Sequence, residues 1–147
     1  MEKITVSGLM VVVTIAAVVM LAGCVEENPV YSDQVRAYAD PITENILSGM
    51  NENNYSRYAG HFDQTMKTAM NEAVFNETNM LVRSKIGDYV SKEFLKVESK
   101  NQYTVVHYNA RFTDEPEDVT VRVVFQEVMG EMKVSGLWLD SPILREK

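Results

Sequence analysis

The stretch Gln102–Phe125, QYTVVHYNARFTDEPEDVTVRVVF, decides the fold. Apolar residues recur in it with a period of two, the signature of a strand with one buried face. Val106, Tyr108, Ala110 and Phe112 fall on one side, and Tyr103, Val105, His107, Asn109 and Arg111 on the other. After the polar turn Asp114–Asp118 the alternation resumes at Val119, Val121, Val123 and Phe125. Two half-buried strands joined by a short turn make an antiparallel hairpin. Tyr89–Val97 before it and Met132–Asp140 after it read as two more strands, separated by the turn Met129-Gly130-Glu131, with Gly136 placed as a bulge.

Upstream of Gly87 the period lengthens to helical spacing. Asp40-Pro41 reads as an N-cap followed by proline in the first turn, and Ile42, Ile46, Leu47 and Met50 then line one face. A second helical stretch carries Tyr58, Phe62, Met66 and Met70, spaced by four. A third carries Phe75, Val82 and Ile86, with Gly87 as its C-terminal cap. Helices followed by strands give an α+β domain, with the N-terminal helices packed on one face of a curved four-stranded antiparallel sheet.

The chain has 147 residues, and not all of them belong to that domain. No charge occurs from Ile4 to Val25, and Lys3 precedes the run. A charged start, an apolar core and small residues before a cut site form a secretory leader. Ala22 and Gly23 are small, and Cys24 follows them. Leu-Ala-Gly-Cys at Leu21–Cys24 resembles the lipobox of prokaryotic lipoproteins. That resemblance implies lipid attachment at the Cys24 sulfur and cleavage after Gly23. The competing reading is a retained transmembrane helix, since 22 uncharged residues suffice to cross a hydrocarbon core of about 30 Å. The expected organisation is a leader at 1–23, a lipidated cysteine and tether at 24–39, and the α+β domain at 40–147. Either anchor holds the domain at the cell membrane, outside the cytoplasm.

Cys24 is the only cysteine, so the mature domain has no disulfide and no thiol nucleophile of its own. The net charge is −7, and residues 1–23 contribute one acid and one base, leaving it unchanged. An acidic domain without clustered Lys and Arg is repelled by phosphate backbones, which argues against nucleic acid as a partner.

Several stretches carry a further resemblance: Phe62-Asp63-x-x-Met66, Ile86-Gly87-x-Tyr89, Val106-x-Tyr108-x-Ala110-x-Phe112 and Val134-x-Gly136-Leu137-x-Leu139. Over roughly Pro41–Pro142 the chain resembles a nuclear-transport-factor-2-like family of unknown function, found in archaeal and bacterial lipoproteins and ahead of some secreted hydrolases. The resemblance implies a cone-shaped, cystatin-like fold. It transfers no catalytic residues, because its motifs are core and turn positions.

The chemistry-bearing residues are few. Of the two histidines, His61 has Asp63 two residues on, a spacing that separates them around a helix. His107 alternates onto the more polar sheet face, and long-range pairing with Asp63, Asp88 or Glu93 stays open. The four carboxylates of Asp114–Asp118 lack the ordered spacing and glycine of a calcium loop and read as a solvated acidic turn. No phosphate loop, nucleophile elbow or His/Cys metal spacing occurs, so neither a metal nor a cofactor is expected. Tyr58, His61, Tyr108 and Trp138 are the candidate lining of a pocket at the cone mouth, with Tyr55 beside them; core packing is the favoured competing role of Tyr55, Tyr58, Tyr108 and Trp138. Asn54 and Asn76 open Asn-x-Ser/Thr triplets, candidate glycosylation sites in a host that modifies surface proteins. The resulting expectation is a membrane-anchored extracytoplasmic lipoprotein that binds a small molecule or an envelope protein without catalysis. An isomerase- or dehydratase-type enzyme using His61 or His107 as base, and a structural envelope protein, are the alternatives.

Overall fold

The β-periodic half folds as its alternation demands. The computed structural model describes residues 28–147. The expected leader and the expected lipidation site, Cys24, lie outside the described residues. Four strands, β1 (Tyr89–Lys100), β2 (Tyr103–Phe112), β3 (Glu115–Val128) and β4 (Glu131–Asp140), form one antiparallel meander in the order β1-β2-β3-β4. Val106, Tyr108, Ala110, Val119, Val121, Val123 and Phe125 are all fully buried on its inner face. The β3–β4 turn is two residues long, with Met129 and Gly130 at φ of 53° and 80°, the backbone of a tight hairpin.

Four register shifts shape the sheet, one of them between Ala110 and Phe112 at the β2–β3 turn. Register shifts in β1 leave Val90 and Leu95 unpaired and exposed. A shift in β4 leaves Ser135 as the extra residue, so the bulge lies one residue before Gly136. Gly136 itself serves a different purpose: a Cβ there would come within 2.6 Å of the Trp138 ring that lies over it. The turn after β2 is shorter than Asp114–Asp118, because β3 already begins at Glu115, opposite Phe112.

The helical half departs more from its sequence pattern. Helix α1 spans Pro29–Asn51, so it begins well before Asp40. Asn28 is the cap, its side chain accepting from Val30 N at 3.1 Å, and Pro29 occupies the first turn. The same Asn/Asp-Pro chemistry was expected at Asp40-Pro41, but Pro41 sits inside the helix. It is exposed there, as is Ala37 four residues earlier, so the carbonyl that loses its amide partner faces water. Residues 29–39, expected in the tether, are therefore helical.

The expected second helix is two short ones, α2 (Tyr55–Tyr58) and α3 (Gln64–Ala69), with an extended crossing between them. Phe62 pairs in parallel with Val134, through Asp63 N to Val134 O at 2.9 Å and Val134 N to His61 O at 2.8 Å. Asp63 then caps α3, accepting from Met66 N at 2.7 Å and from Gln126 Nε2 at 2.8 Å. Helix α4 (Glu72–Ile86) ends at Gly87, whose φ of 77° and closeness to Thr113 exclude a side chain. A last turn, α5 (Pro142–Arg145), closes the chain. Val35, Ala39, Ile42, Ile46 and Leu47 of α1 join Phe62, Phe75, Ile86 and the inner sheet face in one core.

Candidate functional site

Helix α1 lies on the concave face of the sheet, and its apolar stripe fills the core. Beside that stripe runs a row of polar residues four apart: Arg36, Asp40, Glu44 and Ser48. Such residues stack on one helix face. Arg36 Nε donates to Asp40 Oδ2 at 3.1 Å, and Ser48 Oγ donates to Glu44 Oε1 at 3.2 Å. The row meets β1 and β2. Tyr108 donates its hydroxyl to Asp40 Oδ1 at 2.8 Å, Tyr89 donates to Glu44 Oε2 at 2.9 Å, and Lys92 Nζ lies 3.0 Å from Glu44 Oε2. Lys92 points inward from an edge strand, with its side chain only 12% exposed. An inward charge of this kind also discourages edge-to-edge pairing.

This network surrounds a groove of about 350 Å³ lined by Arg36, Asp40, Lys92, Glu93, Phe94 and Tyr108. Two cations face two aromatic rings there. Arg36 lies 4.9 Å from the Phe94 ring centre, and Lys92 lies 5.5 Å from that of Tyr108, distances at which the ring quadrupole attracts a cation. Burial pushes the Tyr108 hydroxyl well above its ordinary pKa, and the Asp40 carboxylate adds to this. Burial pushes Tyr89 the same way, helped by Glu44. For Glu44, burial would raise the pKa, but hydrogen bonds from Lys92, Tyr89 and Ser48 outweigh it and hold the carboxyl below its usual range. At neutral pH Tyr108 and Tyr89 are therefore neutral donors and Glu44 is an ionised acceptor.

A second groove of about 380 Å³ opens on the other side of α1, lined by Tyr38, Ile42, Gly60, His61, Glu131, Met132 and Lys133. Tyr38 packs edge-on against Phe125, with ring centres 5.3 Å apart. Lys133 Nζ lies 2.6 Å from Glu131 Oε2. That contact holds the Glu131 carboxyl below its ordinary pKa, with a smaller contribution from His61.

The outer sheet face carries a cross-strand row in which Lys96 pairs with His107, His107 with Arg122, and Arg122 with Trp138. His107 Nε2 lies 2.8 Å from Glu98 Oε2, and Lys96 Nζ lies 2.7 Å from Glu98 Oε1. The Arg122 guanidinium lies 4.5 Å from the Trp138 ring centre. His107 thus has a carboxylate partner that sequence spacing missed: Glu98, rather than Asp63, Asp88 or Glu93. The pair faces away from both grooves.

The four residues expected to line one pocket are dispersed. Tyr58 is 4% exposed and packs on Phe62 and Phe75 with ring centres 5.0 and 4.4 Å away. Tyr108 lines the first groove, His61 the second, and Trp138 lies on the outer face, 50% exposed. Tyr55 packs on Phe75 and donates to Met70 O at 2.9 Å. Asn54 caps α2 through Arg57 N at 3.0 Å, and Asn76 is exposed on α4. Glu115, read as part of a solvated turn, is 5% exposed and accepts from Ile143 N at 3.1 Å, fastening α5. Among the described residues no cluster of His, Cys, Asp and Glu is arranged to hold a metal ion. Sequence reading missed Arg36, Asp40, Lys92, Phe94, Tyr38, Glu131 and Lys133. The four-residue spacing of Arg36, Asp40 and Glu44 was the available signal, hidden by starting the helix at Asp40.

No curated protein matches the chain. The span from Thr43, midway along α1, to Leu137 in β4 matches a family described as proteins of unknown function, DUF3887. That match covers residues 43–137 and includes the helices α2–α4, strands β1–β3 and most of β4, and the chain belongs to this family.

Proposed function

We propose that this protein is an extracytoplasmic lipoprotein, anchored through Cys24, whose nuclear-transport-factor-2-like cone binds a small polar molecule as an accessory domain rather than as an enzyme. The observation that carries the binding reading is the groove between α1 and β1–β2. Arg36 and Lys92 offer donors, Asp40 and Glu93 offer acceptors, and the Phe94 and Tyr108 rings offer apolar faces within one opening. Few convergent polar groups beside aromatic faces are what an oriented small ligand needs. Donors and acceptors together favour a ligand bearing both signs of charge over a simple anion or cation.

The test is recovery of whatever accompanies the protein when it is extracted natively from membranes, followed by comparison with Phe94→Ser. A small molecule held by the parent and lost from a folded Phe94→Ser protein supports the groove. Equal retention by both overturns it. The anchor is tested separately: Cys24→Ser abolishes lipid labelling and processing after Gly23, whereas unchanged mass and partition favour a retained helix.

The enzymatic alternative draws on the second groove, where His61 shares the lining with Glu131 and Lys133. A base beside a carboxylate suffices for proton abstraction. Loss of a proton-transfer or dehydration activity in a folded His61→Gln protein would establish that reading over ours.

A further inference from the structure

We infer that the hairpin end of the domain rests on the membrane surface, with Val30, Tyr31 and Met129 seated in the lipid interface. This rests on the anchored reading above and adds an orientation to it. Helix α1 is capped by Asn28, and only Val25, Glu26 and Glu27 separate that cap from Cys24. Four residue steps span at most about 14 Å when fully extended. The start of α1 therefore stays close to the bilayer, whichever of the two anchors holds the chain.

Contacts of α1 identify what else lies at that end. Tyr31 and Ser99 share a hydroxyl hydrogen bond of 2.6 Å, which places the first turn of α1 beside the β1–β2 turn. Tyr103 at the start of β2 pairs with Gln126 near the end of β3, and Val128 pairs with Glu131. Both hairpin turns thus project from the same end, two strand spacings or about 10 Å apart. The turn Thr113-Asp114 and Gly87 lie at the opposite end.

The near end exposes apolar groups that folding does not explain. Val30 is 64% exposed, Tyr31 36%, and Met129 fully so. Met129 also adopts a φ of 53°, where tight hairpins favour Asn, Asp or Gly. A bulky apolar side chain in a left-handed turn position, touching only water, gains nothing from the fold. Seated in the interface it removes apolar surface from water, and Tyr31 suits the headgroup level. Charge does not drive the contact. Lys96 and Lys133 are paired with Glu98 and Glu131, and the exposed Lys100 beside the β1–β2 turn is offset by the exposed Glu127 at the same end. Docking is therefore expected to be equal on neutral and anionic lipid. The second groove, lined by Glu131, Met132 and Lys133 just after the turn, would open close to the headgroups.

The experiment uses the full chain in phosphatidylcholine vesicles, with and without anionic lipid, and dilute peroxide as the probe. Met129 is compared with Met80, which is 70% exposed on α4, a helix tied to the far end of α1 through Asn79 Nδ2 and Met50 O at 2.9 Å. On exposure alone Met129 oxidises at least as fast as Met80. The docked orientation predicts that Met129 oxidises several-fold more slowly, in both lipid compositions. Vesicle-associated protein in which Met129 is oxidised as fast as Met80 overturns the orientation and leaves the anchor standing. Protection found only with anionic lipid overturns apolar seating as its cause. A chain that does not float with the vesicles overturns the anchor, and the orientation with it.

Discussion

The two faces of β2 obey one alternation and serve opposite purposes. On the inner face Val106, Tyr108, Ala110 and Phe112 are buried in the core, and on the outer face Val105, His107 and Asn109 are half-buried and Arg111 is exposed. Ion pairs occur on both sides, yet they differ in setting. Outside, His107–Glu98–Lys96 is a solvent-facing cluster in which Glu98 is half exposed. Inside, Tyr108–Asp40–Arg36 and Tyr89–Glu44–Lys92 connect the core to a groove. Polar alternation thus marks the solvent side of a strand well, but it does not locate the polar groups suited to a ligand. Those stand on the buried face, where desolvation gives each hydrogen bond more consequence.

The comparison breaks most visibly in the core. Phe125 is fully buried and packs on Tyr38. Phe125→Ala is expected to cost about 3–5 kcal/mol, measured by denaturant unfolding. A variant that unfolds with the parent would show that the inner face does not carry the stability.

Next in size is the inner network. Tyr108→Phe removes a hydrogen bond to the part-exposed Asp40 carboxylate and is expected to cost about 1.5 kcal/mol, the lower end for a charged acceptor. The matching outer change, Glu98→Gln, loses an exposed ion-pair partner and is expected to stay below about 1 kcal/mol. If the two variants unfold at the same denaturant concentration, the distinction between the faces fails.

The pH dependence sharpens the same contrast. Glu44 has a folded pKa below its ordinary 4.5. Its stabilisation is therefore complete above that value and is lost as pH falls through the folded pKa. Burial first, and a carboxylate partner for two of them, raises Tyr58, Tyr89 and Tyr108 above their ordinary 10.0. Their stabilisation is complete below pH 10 and declines above it, as the unfolded chain ionises first. Glu44→Gln should flatten the acid limb below pH 4.5 and also weaken the Tyr89 share of the alkaline limb, because it removes the carboxylate that helps raise Tyr89, while the Tyr58 and Tyr108 shares stay. An unchanged acid limb would mean that the network contributes little. The smallest effect belongs to Asn76→Gln on exposed α4, expected within about 0.5 kcal/mol of the parent by thermal melting.

Most of the fold was legible because its signals are local. Alternation from Tyr103 to Phe125 marked both faces of the central hairpin, Gly87 marked the end of α4, and Met129-Gly130 marked a turn. The α+β order of helices before strands follows from the same residues. Other features depended on partners far along the chain. Tyr58 and Phe62 share a helical spacing, yet Phe62 lies in an extended segment because Val134, 72 positions later, supplies its hydrogen-bonded neighbour. Proline inside α1 was tolerated because that position faces water, a fact about packing that no window of sequence contains.

By itself the sequence determined the class of fold, the buried faces of β2 and β3, and the presence of one lipobox-like cysteine ahead of the domain. Periodicity and short motifs act over a few residues, and a few residues are enough to read them. Only the tertiary structure decided which polar groups meet. It brought Lys92 to Glu44, Tyr108 to Asp40 and Glu98 to His107, and it dispersed Tyr58, His61, Tyr108 and Trp138 to different surfaces. A hydrogen bond extends about 3 Å, while these partners stand 9 to 68 positions apart, so their meeting depends on how helix and sheet are packed.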